Sequence, residues 1–236
     1  MTKLLASVSN LSEAGIALEA GADIIDLKNP VAGALGALPK HEIRAIVSLI
    51  SGIKPVSATI GDLPMDTELV MRATEQMAQT GVDIIKIGFF GSSGHHDCIQ
   101  ALKPLTGRGT QMVAVLFADQ APDLSLLSEL QEAGFYGVML DTADKNGKNL
   151  MDHILPEDIE RFITLAHKYG LQSGLAGSLG REHIPALTRL NPGYIGFRGA
   201  LCSNLKRTSA LSADKVHEIS GLLLRNNTTF SNMASV

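Results

Sequence analysis

The chain has 236 residues, of which 45% are hydrophobic and 19% are charged, and its formal net charge is −4 at pH 7. This length and apolar content suffice for one well-buried domain, and the negative charge without a basic cluster argues against a nucleic-acid-binding protein. Two cysteines are too few for a disulfide framework, and no signal peptide or membrane-spanning apolar run is evident, so we expect a cytoplasmic protein.

Short apolar segments alternate with segments of helical pattern along the chain. The predicted strands are 3–8, 23–29, 55–61, 83–89, 111–118, 136–142, 172–177 and 194–200. The predicted helices begin near Ser12 and then cover 39–50, 66–79, 95–102, 124–133, 156–169, 182–190 and 212–224. Strands that are joined through helices run parallel. Eight such units predict an α/β fold, a single (β/α)8 TIM barrel, with residues 1–224 as the catalytic domain and 225–236 as a flexible C-terminal tail.

An open doubly wound sheet is the main alternative to the barrel. That fold often has a glycine-rich dinucleotide-binding turn after its first strand, where this chain has SNLSEAG. A short internal repeat also favours the barrel, because GADIID, which ends at Asp26, resembles GVDIIK, which ends at Lys86. Alternate barrel strands fill the same layers, so the repeat predicts Asp26 beside Lys86 in the interior. The same offset places Gly88 and Asp141 level with Lys28.

Charged side chains lie near the carboxyl ends of these strands, where TIM barrels hold their active sites. They are Asp26, Lys28, Lys86 and Asp141. One interpretation is a set of structural ion pairs. The other is imine chemistry, since burial and a neighbouring cation lower the pKa of a lysine amine and expose the nucleophile, while the aspartates move protons. Asp62, after the third strand, could be a turn residue or a further site carboxylate.

Glycine-containing turns follow the seventh and eighth strands, where barrels often bind phosphate. Gly177 and Ser178 could offer backbone amides and a hydroxyl to an anion, and Arg198, Gly199 and Ala200 stand at the end of the eighth strand. We therefore predict phosphate binding by these five residues. The alternative is that the glycines serve only tight turns.

Six motifs carry a resemblance to a known enzyme family. They are GADIIDLKNPVAGALGA, VSATIGDLP, IIKIGFFG, MLDTADKNGK, LAGSLGREHIP and GFRGALC, in this order along the chain. With them the sequence resembles the (5-formylfuran-3-yl)methyl phosphate synthase family, also called 4-(hydroxymethyl)-2-furancarboxaldehyde-phosphate synthases, over almost its whole length. The resemblance implies a TIM-barrel lyase that joins two molecules of glyceraldehyde 3-phosphate into a furan aldehyde phosphate for methanofuran biosynthesis, a part of one-carbon metabolism.

The resemblance also implies roles for individual residues. Lys28 in DLKNP matches the Schiff-base lysine of the family. The residues that match other catalytic positions are Asp26, Lys86, Asp141 and Lys145. No cofactor or metal is expected, because an imine replaces a Lewis acid, and because the adjacent residues of the sequence HHD at 95–97 do not share a helix face.

Other functions stay open at this stage. The chain could be another Schiff-base aldolase, a sugar-phosphate isomerase barrel, or a non-catalytic sensor of phosphorylated metabolites. An isomerase need not form an imine, and a sensor does not need a buried reactive amine. The sequence leaves a homo-oligomer open.

Overall fold

In a computed structural model, the protein is described over residues 1–144 and 147–233, with side chains described as far as residue 228. Eight parallel strands close into one barrel in chain order, and helices alternate with them. The strands are β1 (Lys3–Val8), β2 (Ile24–Leu27), β3 (Val56–Thr59), β4 (Ile84–Phe89), β5 (Gln111–Phe117), β6 (Gly137–Asp141), β7 (Gln172–Leu175) and β8 (Tyr194–Phe197). The helices are α1 (Leu11–Glu19), α2 (Lys40–Ile50), α3 (Thr67–Ala78), α4 (His95–Thr106), α5 (Leu126–Glu132), α6 (Pro156–Lys168), α7 (Ile184–Arg189) and α8 (Ala213–Met233). The predicted TIM barrel is confirmed.

Apolar side chains fill both sides of the barrel wall. The larger core lies between strands and helices, and α6 contributes to it with Ile159, Phe162, Ile163 and Ala166, which are buried at helical spacing. A smaller cluster fills the barrel itself. It includes Ile24 and Ile84, which precede Asp26 and Lys86 by two residues and therefore point the same way. Above this apolar layer, the interior becomes polar.

The last helix is longer than the sequence predicted. We expected it to end at Leu224, but α8 continues to Met233, so 225–233 are helical. The polar side chains there lack apolar periodicity, yet one of them is held by tertiary contacts. Asn227 accepts a hydrogen bond from the backbone N–H of Thr2 and donates one to its carbonyl, both at 2.9 Å, which ties α8 to the start of β1. No helix within the described residues is long and apolar enough to span a membrane.

Gly174 on β7 makes room for the ring of Tyr194, its register partner on β8. A Cβ atom added at Gly174 would lie 2.3 Å from two ring atoms. We expect Gly174→Ala to lower the free energy of unfolding by about 1–3 kcal/mol through overpacking, measured by urea denaturation. The control is Gly15→Ala in α1, where the nearest atom is 4.0 Å away and the change should be neutral or slightly stabilising. Equal effects of the two substitutions would contradict this account.

Candidate active site

A cavity of about 580 Å³ opens at the carboxyl ends of the strands. Lys28, Lys86 and Asp141 line it, and each is less than 10% exposed, at 7%, 1% and 1%. The predicted phosphate-binding residues also line it, and they are Gly177, Ser178, Arg198, Gly199 and Ala200. The structure thus brings the two predicted groups together in one cavity. Lys145, the remaining predicted catalytic residue, lies outside the described residues.

Asp26 lies at the centre of a buried hydrogen-bonded group next to this cavity. Lys86 Nζ lies 2.9 Å from Asp26 Oδ1 and 3.0 Å from Oδ2. Ser7 Oγ donates to Oδ2 at 2.9 Å, and Ser57 Oγ donates to Oδ1 at 2.7 Å. Strand register explains the group, because Ser7, Asp26 and Ser57 stand side by side on β1, β2 and β3. The contact between Asp26 and Lys86 is the one that the internal repeat predicted.

The surroundings of Asp26 keep its carboxyl group ionised. Complete burial acts to raise the pKa of Asp26, but the charges of Lys86 and Lys28 and the hydrogen bonds from Ser57 and Lys86 outweigh burial and lower the pKa below its ordinary value. Asp26 and Lys86 therefore form a buried ion pair. The ion pair lies at the cavity wall, so the carboxylate of Asp26 and the ammonium of Lys86 are two fixed charges near Lys28.

Of the two interpretations of Asp62, the contacts favour a turn residue over a site carboxylate. Its carboxylate accepts hydrogen bonds from the backbone N–H groups of Ala34, at 2.8 Å, and Leu35, at 2.6 Å. Gly33 makes this approach possible, because its φ is +113° and a Cβ there would lie 2.0 Å from Asp62 Oδ2. Asp62 thus fixes the loop that follows Lys28.

Arg198 is in the cavity wall, but its guanidinium is fully occupied by the protein. Its Nη1 donates to Glu13 Oε2, at 2.5 Å, and to Ser7 O, at 3.1 Å. Its Nη2 donates to Glu13 Oε1, at 3.1 Å, and to Ser209 O, at 3.0 Å, while Nε donates to Arg207 O, at 2.7 Å. A guanidinium has five N–H donors, so none is left for a phosphate. In this arrangement the guanidinium offers no N–H group to a phosphate, so phosphate binding by Arg198 stays a prediction that these contacts do not favour.

Glu13, the partner of Arg198, is itself ionised within the wall. Burial acts to raise the pKa of Glu13, but hydrogen bonds from Arg198 and Ser9 and the charge of Arg198 lower it below its ordinary value. The same carboxylate accepts a hydrogen bond from the backbone N–H of Leu211 at 3.1 Å. The pair thus joins α1 to the segment between β8 and α8.

The turns after β7 and β8 present backbone to the cavity. Gly177 has φ +106° and Ser178 has φ +51°, so both lie in the left-handed region. A Cβ at Gly177 would lie 2.9 Å from Thr142 Cγ2, so glycine is required for two reasons. After β8, Gly199–Leu201 form one 3-10 turn. Both turns lie where an anion in the cavity could approach main-chain N–H groups.

Three cations that line the cavity were not predicted from the sequence. Arg181 pairs with Glu218, and Lys215 lies in the first turn of α8. Arg207 is half-buried and donates from Nη2 to Gly33 O at 2.6 Å. Arg181 follows Gly180 in the motif LAGSLGREHIP, whereas Lys215 and Arg207 belong to none of the six motifs. The only signal for Arg207 was a polar, basic segment, SNLKRTS, after the eighth strand.

The side chains of His95 and His96 have separate partners. His95 Nε2 lies 3.2 Å from Phe90 O, while His96 Nδ1 lies 2.9 Å from Glu129 Oε2. Across the part of the chain that the structure describes, no group of three or more His, Cys, Asp and Glu side chains could hold a metal ion.

Comparisons with known proteins agree on one family. The family model described as 4-HFC-P synthase matches residues 4–220. A protein of Methylorubrum extorquens, provisionally named (5-formylfuran-3-yl)methyl phosphate synthase, is 41% identical over 91% of this chain and 88% of its own length. The (5-formylfuran-3-yl)methyl phosphate synthase of Methanococcus maripaludis strain C7 is 36% identical over 92% of this chain and 97% of its own length.

Solved structures confirm the barrel at lower identity. Phosphoribosyl anthranilate isomerase from Thermus thermophilus has a TM-score of 0.67 and 14% identity, covering 95% of this chain and 99% of its own. The 3-hexulose-6-phosphate synthase from Salmonella typhimurium has a TM-score of 0.65 and 19% identity, covering 95% of this chain and 100% of its own. At such identities the likeness concerns the fold alone.

Proposed function

Because the chain belongs to the 4-HFC-P synthase family and is an enzyme, we propose that it condenses two molecules of glyceraldehyde 3-phosphate into (5-formylfuran-3-yl)methyl phosphate. Two trioses supply six carbons, and the product keeps one phosphate, so one phosphate and two waters are released. The observation that carries the proposal is the burial of Lys28, Lys86 and Asp141 around one cavity, next to the Asp26–Lys86 ion pair.

The first step in this proposal is imine formation at Lys28. The Nζ atom attacks the aldehyde carbon of one triose, and water leaves. The protonated imine withdraws electrons from the adjacent carbon, so loss of a proton there yields an enamine. The enamine expels the phosphate from the third carbon of this triose, which leaves that carbon as the nucleophilic end of an enol. This carbon then attacks the middle carbon of the second triose, once the second triose has isomerised from aldehyde to ketone, and forms the carbon–carbon bond. Lys86 is held against Asp26 by two hydrogen bonds, which supports Lys28 rather than Lys86 as the nucleophile.

Proton transfer requires a carboxylate that reaches the substrate. Asp141 lines the cavity at the end of β6, and its Oδ1 accepts a hydrogen bond from Thr142 N at 2.7 Å. The oxygens of Asp26 already accept hydrogen bonds from Ser7, Ser57 and Lys86. Because Asp141 lines the cavity, whereas Asp26 is enclosed by these three side chains, the arrangement supports Asp141 as the base that removes a proton next to the departing phosphate, and a positioning role for Asp26. Lys145 follows Asp141 by four residues and keeps its proposed role by resemblance.

Two phosphate groups have to be held at once. We assign one to the turns after β7 and β8, through Gly177, Ser178, Gly199 and Ala200. Backbone N–H groups recognise phosphate without a counter-charge of their own, and barrels often place a phosphate at these two loops. The product would serve methanofuran biosynthesis in the cytoplasm. A homo-oligomer remains compatible with this function.

The experiment is incubation of the purified protein with glyceraldehyde 3-phosphate, followed by furan absorbance and inorganic phosphate release. We expect one phosphate for each furan, and borohydride should trap a reduced adduct that peptide mass spectrometry locates on Lys28. An adduct on Lys86 would reverse the roles of the two lysines. Absence of furan and adduct, with substrate shown to bind, would instead indicate an isomerase or a sensor.

A further inference from the structure

Two arginines lie close together after β8, and they differ in what their side chains bind. Arg198 has all five N–H donors in hydrogen bonds to protein acceptors. Arg207 lines the same cavity, and the acceptor that the structure gives its guanidinium within the described residues is the carbonyl oxygen of Gly33. One arginine is therefore built into the wall, while the other presents donors to the cavity.

Hydrogen bonds from Arg198 hold the backbone around Arg207 in place. Arg198 Nε donates to Arg207 O at 2.7 Å, and Arg198 Nη2 donates to Ser209 O at 3.0 Å. Ser203 N donates to Ala210 O at 2.9 Å and closes the loop. Because Arg198 is in turn paired with Glu13, the Arg207 main chain rests on a buried ion pair. The fixed backbone and the contact with Gly33 leave the guanidinium at the mouth of the cavity.

The charged guanidinium of Arg207 is half-buried, and the described part of the chain supplies acceptors for only some of its N–H groups. Burial lowers the pKa of Arg207, the charges of Asp141 and Asp62 act to raise it, and the group stays protonated, as arginines do in proteins. Burying a cation whose donors are incompletely paired is unfavourable. A phosphate oxygen pair matches the guanidinium fork and would complete these hydrogen bonds. Asp141, the proposed base, lines the same cavity.

We propose that Arg207 binds the phosphate group of a substrate molecule, between the loop that contains Gly33 and the turn after β8. Gly33 O accepts a hydrogen bond from the guanidinium of Arg207 and so orients it. Arg198 fixes the backbone of Arg207 by donating to its carbonyl oxygen. The proposal rests on the proposed function, because it takes a triose phosphate as the ligand. It assigns the second phosphate, which the glycine turns alone would leave without a cation.

The test compares Arg207→Gln with Lys206→Gln, which removes the same charge from the neighbouring, exposed residue of the same loop. We expect Arg207→Gln to lower kcat/KM for furan formation from glyceraldehyde 3-phosphate about 100-fold, the scale of losing a bidentate charged contact. Arg207→Lys should recover about tenfold of that loss, because it restores a point charge without the fork. Lys206→Gln should stay within about twofold of the wild type.

Unphosphorylated glyceraldehyde separates phosphate binding from a structural role. Borohydride trapping of glyceraldehyde on Lys28 should be the same in Arg207→Gln and in the wild type, since this aldehyde has no phosphate. An equal loss of trapping with both aldehydes would overturn the proposal and make Arg207 a support for the Gly33 loop. Unchanged kcat/KM would overturn it as well.

Inorganic phosphate binding keeps the inference testable if the proposed reaction fails. If the wild type makes no furan, calorimetric titration with inorganic phosphate still compares it with Arg207→Gln. Weakening of phosphate binding by tenfold or more would support the site, whereas equal binding by the two proteins would overturn it. Failure of the proposed function and failure of this inference thus give different results.

Discussion

Lys28→Arg is expected to lower furan formation by more than about 10³-fold, the scale seen when a covalent nucleophile is removed. Arginine keeps the positive charge next to Asp26, but a guanidinium does not form an imine with an aldehyde under these conditions. Borohydride should therefore trap no adduct at position 28. The measurement is the rate of furan appearance, followed by peptide mass spectrometry of the reduced protein.

The control is Lys103→Arg on the exposed side of α4, which makes the same chemical change away from the cavity. This variant should keep wild-type rates. Circular dichroism and thermal unfolding establish that Lys28→Arg is folded. A folded Lys28→Arg protein that still produces the furan would refute imine catalysis at this lysine.

Asp26→Asn is expected to cause the largest loss of stability, about 3–5 kcal/mol in the free energy of unfolding, because it leaves the buried ammonium of Lys86 without its counter-charge. Urea denaturation at pH 7 measures this loss. The double variant Asp26→Asn/Lys86→Met should recover a large part of it, since no unpaired charge remains. Asp23→Asn, just before β2 and paired with Lys54 at 3.7 Å near the surface, should cost less than about 1 kcal/mol.

The pH dependence of stability follows from the lowered pKa of Asp26. Its contribution to stability is complete above its ordinary pKa of 3.8 and is lost as the pH falls through the lower pKa of the folded protein. The wild type should thus lose stability on acidification below about pH 4, whereas Asp26→Asn should lack this part of the decline. Parallel curves for the two proteins would mean that Asp26 is not the titrating group.

The barrel could be predicted from sequence because local signals and the fold agree. Its strands are apolar runs bounded by glycine, proline and polar residues, and they alternate with amphipathic helices such as α6. Errors lie at the ends of elements: the eighth strand was predicted over 194–200 but ends at Phe197, before the turn at Gly199–Leu201. The sequence placed the end of α4 before Pro104, but the helix includes this proline and ends at Thr106. The sequence also placed the end of the last helix at Leu224, nine residues too early. The hydrogen bonds between Asn227 and Thr2 that hold the rest of this helix join residues far apart in the chain, and a local pattern does not reveal them.

The candidate site was predictable where strand register decides positions. The repeat correctly put Asp26 against Lys86, since closed parallel strands keep equivalent residues in one layer. Arg198 was assigned to phosphate because a cation after the eighth strand fits that role, and nothing in the local sequence points to Glu13 as its partner. Arg207 was missed because irregular loops carry no periodic signal. Sequence patterns thus located the cavity but not the side-chain partners of its arginines.

The Glu13–Arg198 ion pair also bears on how the protein is made. It joins residues 185 positions apart, from α1 to the end of β8, and a ribosome produces the first of them long before the second. Until the last barrel unit emerges, the carboxylate of Glu13 has no guanidinium to bind, and the loop that contains Arg207 has not been synthesised. The barrel wall and the cavity are therefore completed together, when the segment that contains Arg198 and Arg207 has been synthesised. An N-terminal fragment that ends before β8 holds Lys28 and Lys86 but lacks the closed wall around them.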